Sequence, residues 1–325
     1  MNATAARRHK PLPRREDWGI FGPDSPTWKV WGYGPTGLLA FQRSIVVESF
    51  DPFLAAAVED QNGVREYAQS RFNHTLAYFL TVAVADSKTA LKASDVLMRI
   101  HDRAQGTEPV TQQPYSANDP DSQLWIHVTG WHSNLLMYER YGPGPLTPAE
   151  QERFWAESAI AAELQTCDPA KVPRSREDVR DYYADIRKRL CMTEHARALI
   201  HYFLRSERAV AGTQLWLGSR LMAPAVIATI PRWMRVLGGF DQPRALDAAV
   251  RAPARAMVRA SARPKALLAM VDRLAPAVRP VMEQKLYGEP PLLDATLTPA
   301  EAREKWGRST GRDWDERAAA LRAAS

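Results

Sequence analysis

The chain has 325 residues, 45% of them hydrophobic and 25% charged, with a formal net charge of +6. That composition is ordinary for a globular protein and is long enough for a core that encloses a ligand. Cys167 and Cys191 with no Cys-x-x-Cys speak against a disulfide framework or a cysteine-based zinc site, and no apolar run reaches the roughly 20 residues of a membrane span.

Residues 1–17 read as a disordered basic tail carrying Arg7, Arg8, Lys10, Arg14 and Arg15. The tail has no apolar stretch of the secretory type, so the cytoplasm is the expected compartment, with peripheral contact to a membrane left open. Residues 18–35, rich in Trp, Gly and Pro, read as an ordered but irregular lead-in. From about residue 36 the pattern is helical and nowhere alternates as strands do. The expected fold is all-α: one large helical domain over 18–285, followed by a connector and helical tail over 286–325.

Within that domain, Arg71, His74, Thr75 and Tyr78 recur at 0, +3, +4 and +7, a polar stripe on an otherwise apolar helix. An inward-facing guanidinium needs an anion, either an internal carboxylate such as Glu59 or Glu66 or an acidic group of a bound molecule. Asp86 or Ser87 opens the next helix, and Gly106 is expected to close it. On it, Leu97, Ile100, His101 and Ala104 share one apolar face. Residues 106–118 read as a loop, after which Asp119-Pro120 starts the helix that carries His127 on a face with Leu124, Val128, Trp131 and Leu135. A buried imidazole must find a hydrogen-bond partner or a metal, and both readings stand for His101 and for His127.

Further along, Thr147-Pro148-Ala149-Glu150 and Thr298-Pro299-Ala300-Glu301 are capping boxes with proline at the first helical position. Ser175 is placed to cap a helix over 176–190, and the last short helix is expected at 299–306. Arg251, Arg255, Arg259 and Arg263 fall every fourth residue, a solvated ridge or a contact for anionic lipid. No nucleic-acid-binding motif accompanies that charge. There is no Glu-x-x-His, HExxH, glycine-rich phosphate loop or GxSxG elbow.

An ordered series of short motifs runs through this pattern: Gly34-Pro35-x-Gly37-Leu38-Leu39, Arg71-x3-Thr75, Ile100-His101-x4-Gly106, Tyr115-Ser116-Ala117-x-Asp119-Pro120, Trp125-Ile126-His127, Tyr138-x2-Tyr141 and Leu146-Thr147-Pro148-Ala149-Glu150. From about 31 to about 240 the chain thereby resembles the catalytic domain of the latex-clearing proteins (rubber oxygenases) and MpaB-type oxygenases. The resemblance implies an all-α fold around a buried haem b, with His101 as the proximal iron ligand and Arg71 and Thr75 beside the haem. It also matches His127 to a family histidine, which leaves that residue as a second ligand, a distal acid–base group or a core hydrogen-bonder. His74 stands where rubber oxygenases carry a lysine that can cap the iron, and His74, Glu48 and Glu59 are the acid–base candidates.

The implied activity is oxygenation of a hydrophobic, isoprenoid-like or unsaturated small molecule by O2. The alternative is a non-catalytic helical binder of haem or lipid. The chain departs from the family at Val46-Val47-Glu48-Ser49, where a His-Pro is common. It departs again at Met98 and Gln105, where rubber oxygenases have arginine.

Overall fold

The computed structural model describes residues 12–60, 63–307, 319–321 and 323. For 59, 60, 63–69, 71, 72, 209–212, 214 and 215 it describes the backbone alone. Helices make up most of the described chain. α1 (Pro26–Trp31), α2 (Gly37–Glu48) and α3 (Pro52–Asp60) lead into the long α4 (Gly63–Val84) and α5 (Ser87–His101). After a hairpin of β1 (Gln105–Thr107) and β2 (Pro114–Ser116) come α6 (Pro120–Tyr141), α7 (Pro148–Ala162), α8 (Arg176–Ile186), α9 (Glu194–Arg205) and α10 (Arg208–Ile227). The chain ends in α11 (Arg232–Gly238), α12 (Arg244–Ala249), α13 (Arg251–Ser261), α14 (Pro264–Leu274), α15 (Arg279–Tyr287) and α16 (Pro299–Trp306).

The central element is α6, in which Leu124, Trp125, His127, Val128, Trp131, Leu135, Met137, Tyr138 and Tyr141 are all buried. A helix apolar on every side must be covered on every side, and α1, α2, α7 and α13 all pack on it, α2 most extensively. Trp131 anchors the core, with Trp31, Phe154 and the His127 ring 5.2–5.6 Å away, centroid to centroid. At Gly130 a Cβ would come 3.3 Å from the Phe79 ring, so the glycine lets α4 approach α6 closely.

Expected helix starts appear in place. Asp86, Asp119, Thr147, Ser175 and Thr298 each accept a hydrogen bond from a backbone N–H in the first turn of their helices, and Thr193, not anticipated from sequence, does the same for α9. Both capping boxes are complete.

Three expectations are corrected. Residues 105–107 and 114–116 pair antiparallel, in the register Gly106↔Tyr115. Gly106 therefore ends no helix: it lies in β1, where a Cβ would meet the Tyr115 ring at under 3 Å. Strands of three residues are too short to show alternation. The packed chain also starts before residue 18. Arg15 is buried against the faces of Trp18 and Trp28, and the Asp17 carboxylate accepts from Ser87 N, Ser87 Oγ and Gly19 N. Residues 1–11 of the expected tail lie outside the described residues.

The segment after 286 is tied in as well. Leu292 N and Leu293 N donate to Arg15 O and Glu16 O, and α16 packs on α5 through the Arg303–Asp95 ion pair and a hydrogen bond from Trp306 Nε1 to Ser87 Oγ. Arg251 and Arg259 of the arginine ridge are exposed and Arg255 is half-buried, while Arg263 caps α14 from outside α13. No described helix is long and apolar enough to cross a membrane.

Candidate functional site

α4 and α5 form an antiparallel pair joined at Ala85-Asp86. Arg71 precedes the joint and His101 follows it by about fifteen residues each, so both stand roughly 22 Å along their helices from the turn. Topology thus brings the Arg71–Thr75 stretch and His101 to one end of the helix pair.

The buried stripe of α5 runs through Leu91, Ser94, Asp95 and Met98. His101, three residues beyond Met98, continues that stripe at its half-buried end, while Ile100, expected on the inner face, is 59% exposed. The His101 Nδ1 lies 2.9 Å from Gln123 Nε2 in the first turns of α6. That amide also donates to Ala117 O at 2.5 Å. Held this way, Gln123 donates to Nδ1, and the neutral ring carries its proton on Nε2. Ligation through Nε2 takes the opposite tautomer, with Nδ1–H donating to the Gln123 carbonyl after the amide turns.

His127 shares the glutamine amide at Nδ1 but differs in its enclosure. It is fully buried, with Nε2 2.8 Å from Ser158 O and 3.1 Å from Ser158 Oγ, and with Gln165 Nε2 3.3 Å from Nδ1. Nε2–H donates and Nδ1 accepts, so protein groups engage both ring nitrogens. Burial lowers its pKa to about 4. Of the three roles open to His127, a core hydrogen-bonder is the one this geometry fits.

The α4 stripe does not face uniformly inward. Tyr78 is buried beside Gln165, and burial pushes its phenol up. His74 and Thr75 are exposed, with His74 Nδ1 3.4 Å from Ser70 Oγ. The stripe climbs about 11 Å along the helix and passes from the covered half of α4 to the open half. The side chains of Arg71, Glu59 and Glu66 lie outside the described residues, so the suggested Arg71 ion pair falls there too.

Glu48, at the end of α2, turns its carboxyl group into the α2–α6 interface. It accepts from Ser44 Oγ at 2.5 Å and Thr129 Oγ1 at 2.6 Å. Burial raises its pKa to about 7, against the lowering effect of those two hydroxyls. Near neutrality the group can either hold or release a proton.

Sequence reasoning passed over Gln123 and a buried polar group one helix turn from Glu48. Arg43 is 1% exposed and donates through Nη1 to Ser133 Oγ at 2.7 Å, and its charge acts on the phenol of Tyr183. The signal was there: Gln42, Arg43 and Ser44 interrupt a helix that is otherwise apolar up to Glu48.

Whether these groups suit a haem is a question of donor chemistry. Iron held by side chains alone takes three or four ligands, whereas iron in a macrocycle takes one or two. Among the described residues no three of His, Cys, Asp and Glu converge, and His101 stands as a single half-buried imidazole level with Arg71. A single imidazole is the ligand a haem would need from the protein, and His101 would serve once Gln123 gave up its bond to Ala117 O and its amide turned.

The family described as "ER-bound oxygenase mpaB/B'/Rubber oxygenase, catalytic domain" matches residues 28–263. No curated protein and no solved structure matches the chain.

Proposed function

The chain belongs to the mpaB/rubber oxygenase catalytic-domain family, and from that premise we propose that it is a haem b-dependent oxygenase acting on a hydrophobic, unsaturated small molecule. The family match supports oxygenase chemistry. The observation that carries the haem reading is the position of His101, half-buried at the end of α5 and level with Arg71 and Thr75. His101 would hold the iron and Gln123 would orient its ring. Arg71 would pair with an acidic group of the cofactor or substrate. A haem bound there would supply the binding and activation of O2.

Of the acid–base candidates, Glu48 has the best-matched chemistry. A group titrating near 7 works in both directions at neutral pH, and Ser44 and Thr129 hold its oxygens in place. His74 and Glu59 keep the proposed roles of distal and acid–base groups on α4 and α3. A hydrophobic substrate suits the apolar slot that begins next to Thr75, lined by Leu76, Leu80, Trp31, Leu38 and Met270. At about 30 Å3 the slot admits little more than water as it stands, so a substrate entering there displaces α14.

The test is haem reconstitution followed by turnover. Purified protein supplied with haem should show a Soret band, and the ferrous form should consume O2 in the presence of terpenoid or unsaturated-lipid substrates. Haem uptake without substrate-dependent O2 consumption would point to a binding protein instead, and no uptake at all would end the haem reading.

A further inference from the structure

Away from His101, an open cleft of about 440 Å3 lies where α6, α7, α8 and α11 meet. This is a common size for a small-molecule site. None of its lining residues belongs to the group around His101 and Gln123. Its lining includes Trp155, Trp233 and Pro231, flat apolar surfaces contributed by α7 and the start of α11. His132 and Tyr183 line it too, with His132 Nδ1 3.4 Å from Tyr183 Oη. The buried Arg43 acts on Tyr183 electrostatically, lowering a phenol pKa that burial raises.

The charge of the cleft is one-sided. Arg176, Arg180 and Arg187 line it, and no Asp or Glu does. Arg176 is already spent, since its Nη2 donates to both Glu139 oxygens at 2.6 Å. Arg180 and Arg187 are exposed and form no ion pair among the described residues. Arg187 lies over the Trp233 ring, 4.6 Å from its centroid, which holds the guanidinium at the cleft. His132 adds no positive charge of its own, because burial and the nearby Arg43 and Arg176 keep it neutral. Two exposed guanidiniums outside any ion pair, one of them stacked on an indole, form the pattern that captures a planar anion with an apolar body.

We propose that this cleft binds a small organic acid, its anionic head between Arg180 and Arg187 and its flat apolar body against Trp233 and Pro231, over the buried Trp155 at the cleft floor. A carboxylate and a phosphate share the recognition chemistry. The site shares no lining residue with the group around His101 and Gln123 and requires no haem.

The experiment titrates the full-length protein calorimetrically with 2-naphthoate, 2-naphthyl phosphate, neutral 2-naphthamide and inorganic phosphate. Binding of one or both naphthyl anions, weakened by salt and much tighter than naphthamide or bare phosphate, is the expected result. The two anions rank carboxylate against phosphate. Arg180→Gln and Arg187→Gln, both at exposed positions, should each weaken binding about tenfold, the loss of one charge-assisted donor group. Arg244→Gln, on α12, should leave it unchanged. Thermal melting of each variant confirms that it is folded. Equal binding of naphthamide, equal binding of bare phosphate, unchanged affinity in both cleft variants, or no binding of either anion would each overturn the proposal.

Discussion

His101 and His127 sit on successive long helices, in motifs of similar appearance, yet the fold treats them in opposite ways. His127 is enclosed on α6, with a carbonyl and a hydroxyl of Ser158 at one nitrogen and Gln165 at the other. His101 ends α5 half-buried, with the Gln123 amide at Nδ1. An imidazole whose two nitrogens are matched by fixed protein groups is committed to structure, because displacing either partner strands a buried polar atom. Under the proposed function, the imidazole at the end of α5, level with a polar stretch of the neighbouring helix, is the one that would meet a ligand. The contrast lies in the third dimension, and neither motif states it.

The contrast can be broken most decisively at His101. His101→Ala should abolish stoichiometric haem retention while leaving the melting temperature of the apoprotein nearly unchanged, as read by haem absorbance and thermal unfolding. His127→Ala should do the reverse. It removes a buried ring and leaves Ser158 and Gln165 unmatched, so the free energy of unfolding should drop by about 3 kcal/mol in urea titrations, with haem still bound by the folded fraction.

The pH dependence of stability sharpens the same point. The folded chain holds His127 neutral down to about pH 4, whereas the unfolded imidazole protonates near 6.5. The unfolded state therefore binds the extra proton, and stability falls as pH drops from 6.5 towards 4. Glu48 acts in the opposite sense. Its folded carboxyl stays protonated up to about 7 while the unfolded one ionises above 4.5, so stability falls as pH rises from 4.5 through 7. The two slopes oppose each other over the range they share. Glu48→Gln should remove the second slope, making the variant more stable than the parent at alkaline pH by about 2 kcal/mol, after allowance for partial solvent contact. It should also uncover the acid slope of His127 in denaturant midpoints measured across pH.

Smaller effects come from the partners of the two rings. Gln123→Leu removes the group that orients His101 and should weaken haem affinity about tenfold in a transfer assay to an apo-haem acceptor, with the fold intact. Ser158→Ala takes away only the hydroxyl near His127 and leaves the carbonyl acceptor. Its cost in chemical denaturation should be about 0.5–1 kcal/mol.

Much of the helical frame was legible, because capping is local chemistry: Thr147 with Glu150 and Thr298 with Glu301 are complete within four residues. What escaped depends on partners distant in the chain. Asp17 looked like part of a polar tail because its partner Ser87 is seventy residues away. Gly106 looked like a helix stop because the Tyr115 ring packed over it is visible only once the hairpin closes. The stripe Arg71-His74-Thr75-Tyr78 is spaced for one face of α4, but periodicity does not report where along the helix the cover ends, and His74 and Thr75 are exposed where Tyr78 is buried. The candidate histidines were named from sequence; that one is enclosed and the other half-buried at a helix end was not, since burial and hydrogen-bond matching by Ser158, Gln165 and Gln123 are properties of the packed helices.

One measurement bears directly on that division: the absorption spectrum and pyridine haemochrome of haem-supplied wild type, His101→Ala and His127→Asn, taken side by side. The account predicts a Soret band with near-stoichiometric haem b in the wild type and in folded His127→Asn, and its loss in His101→Ala. Haem retained without His101 and lost without His127, or a wild type that takes up no haem, would contradict it.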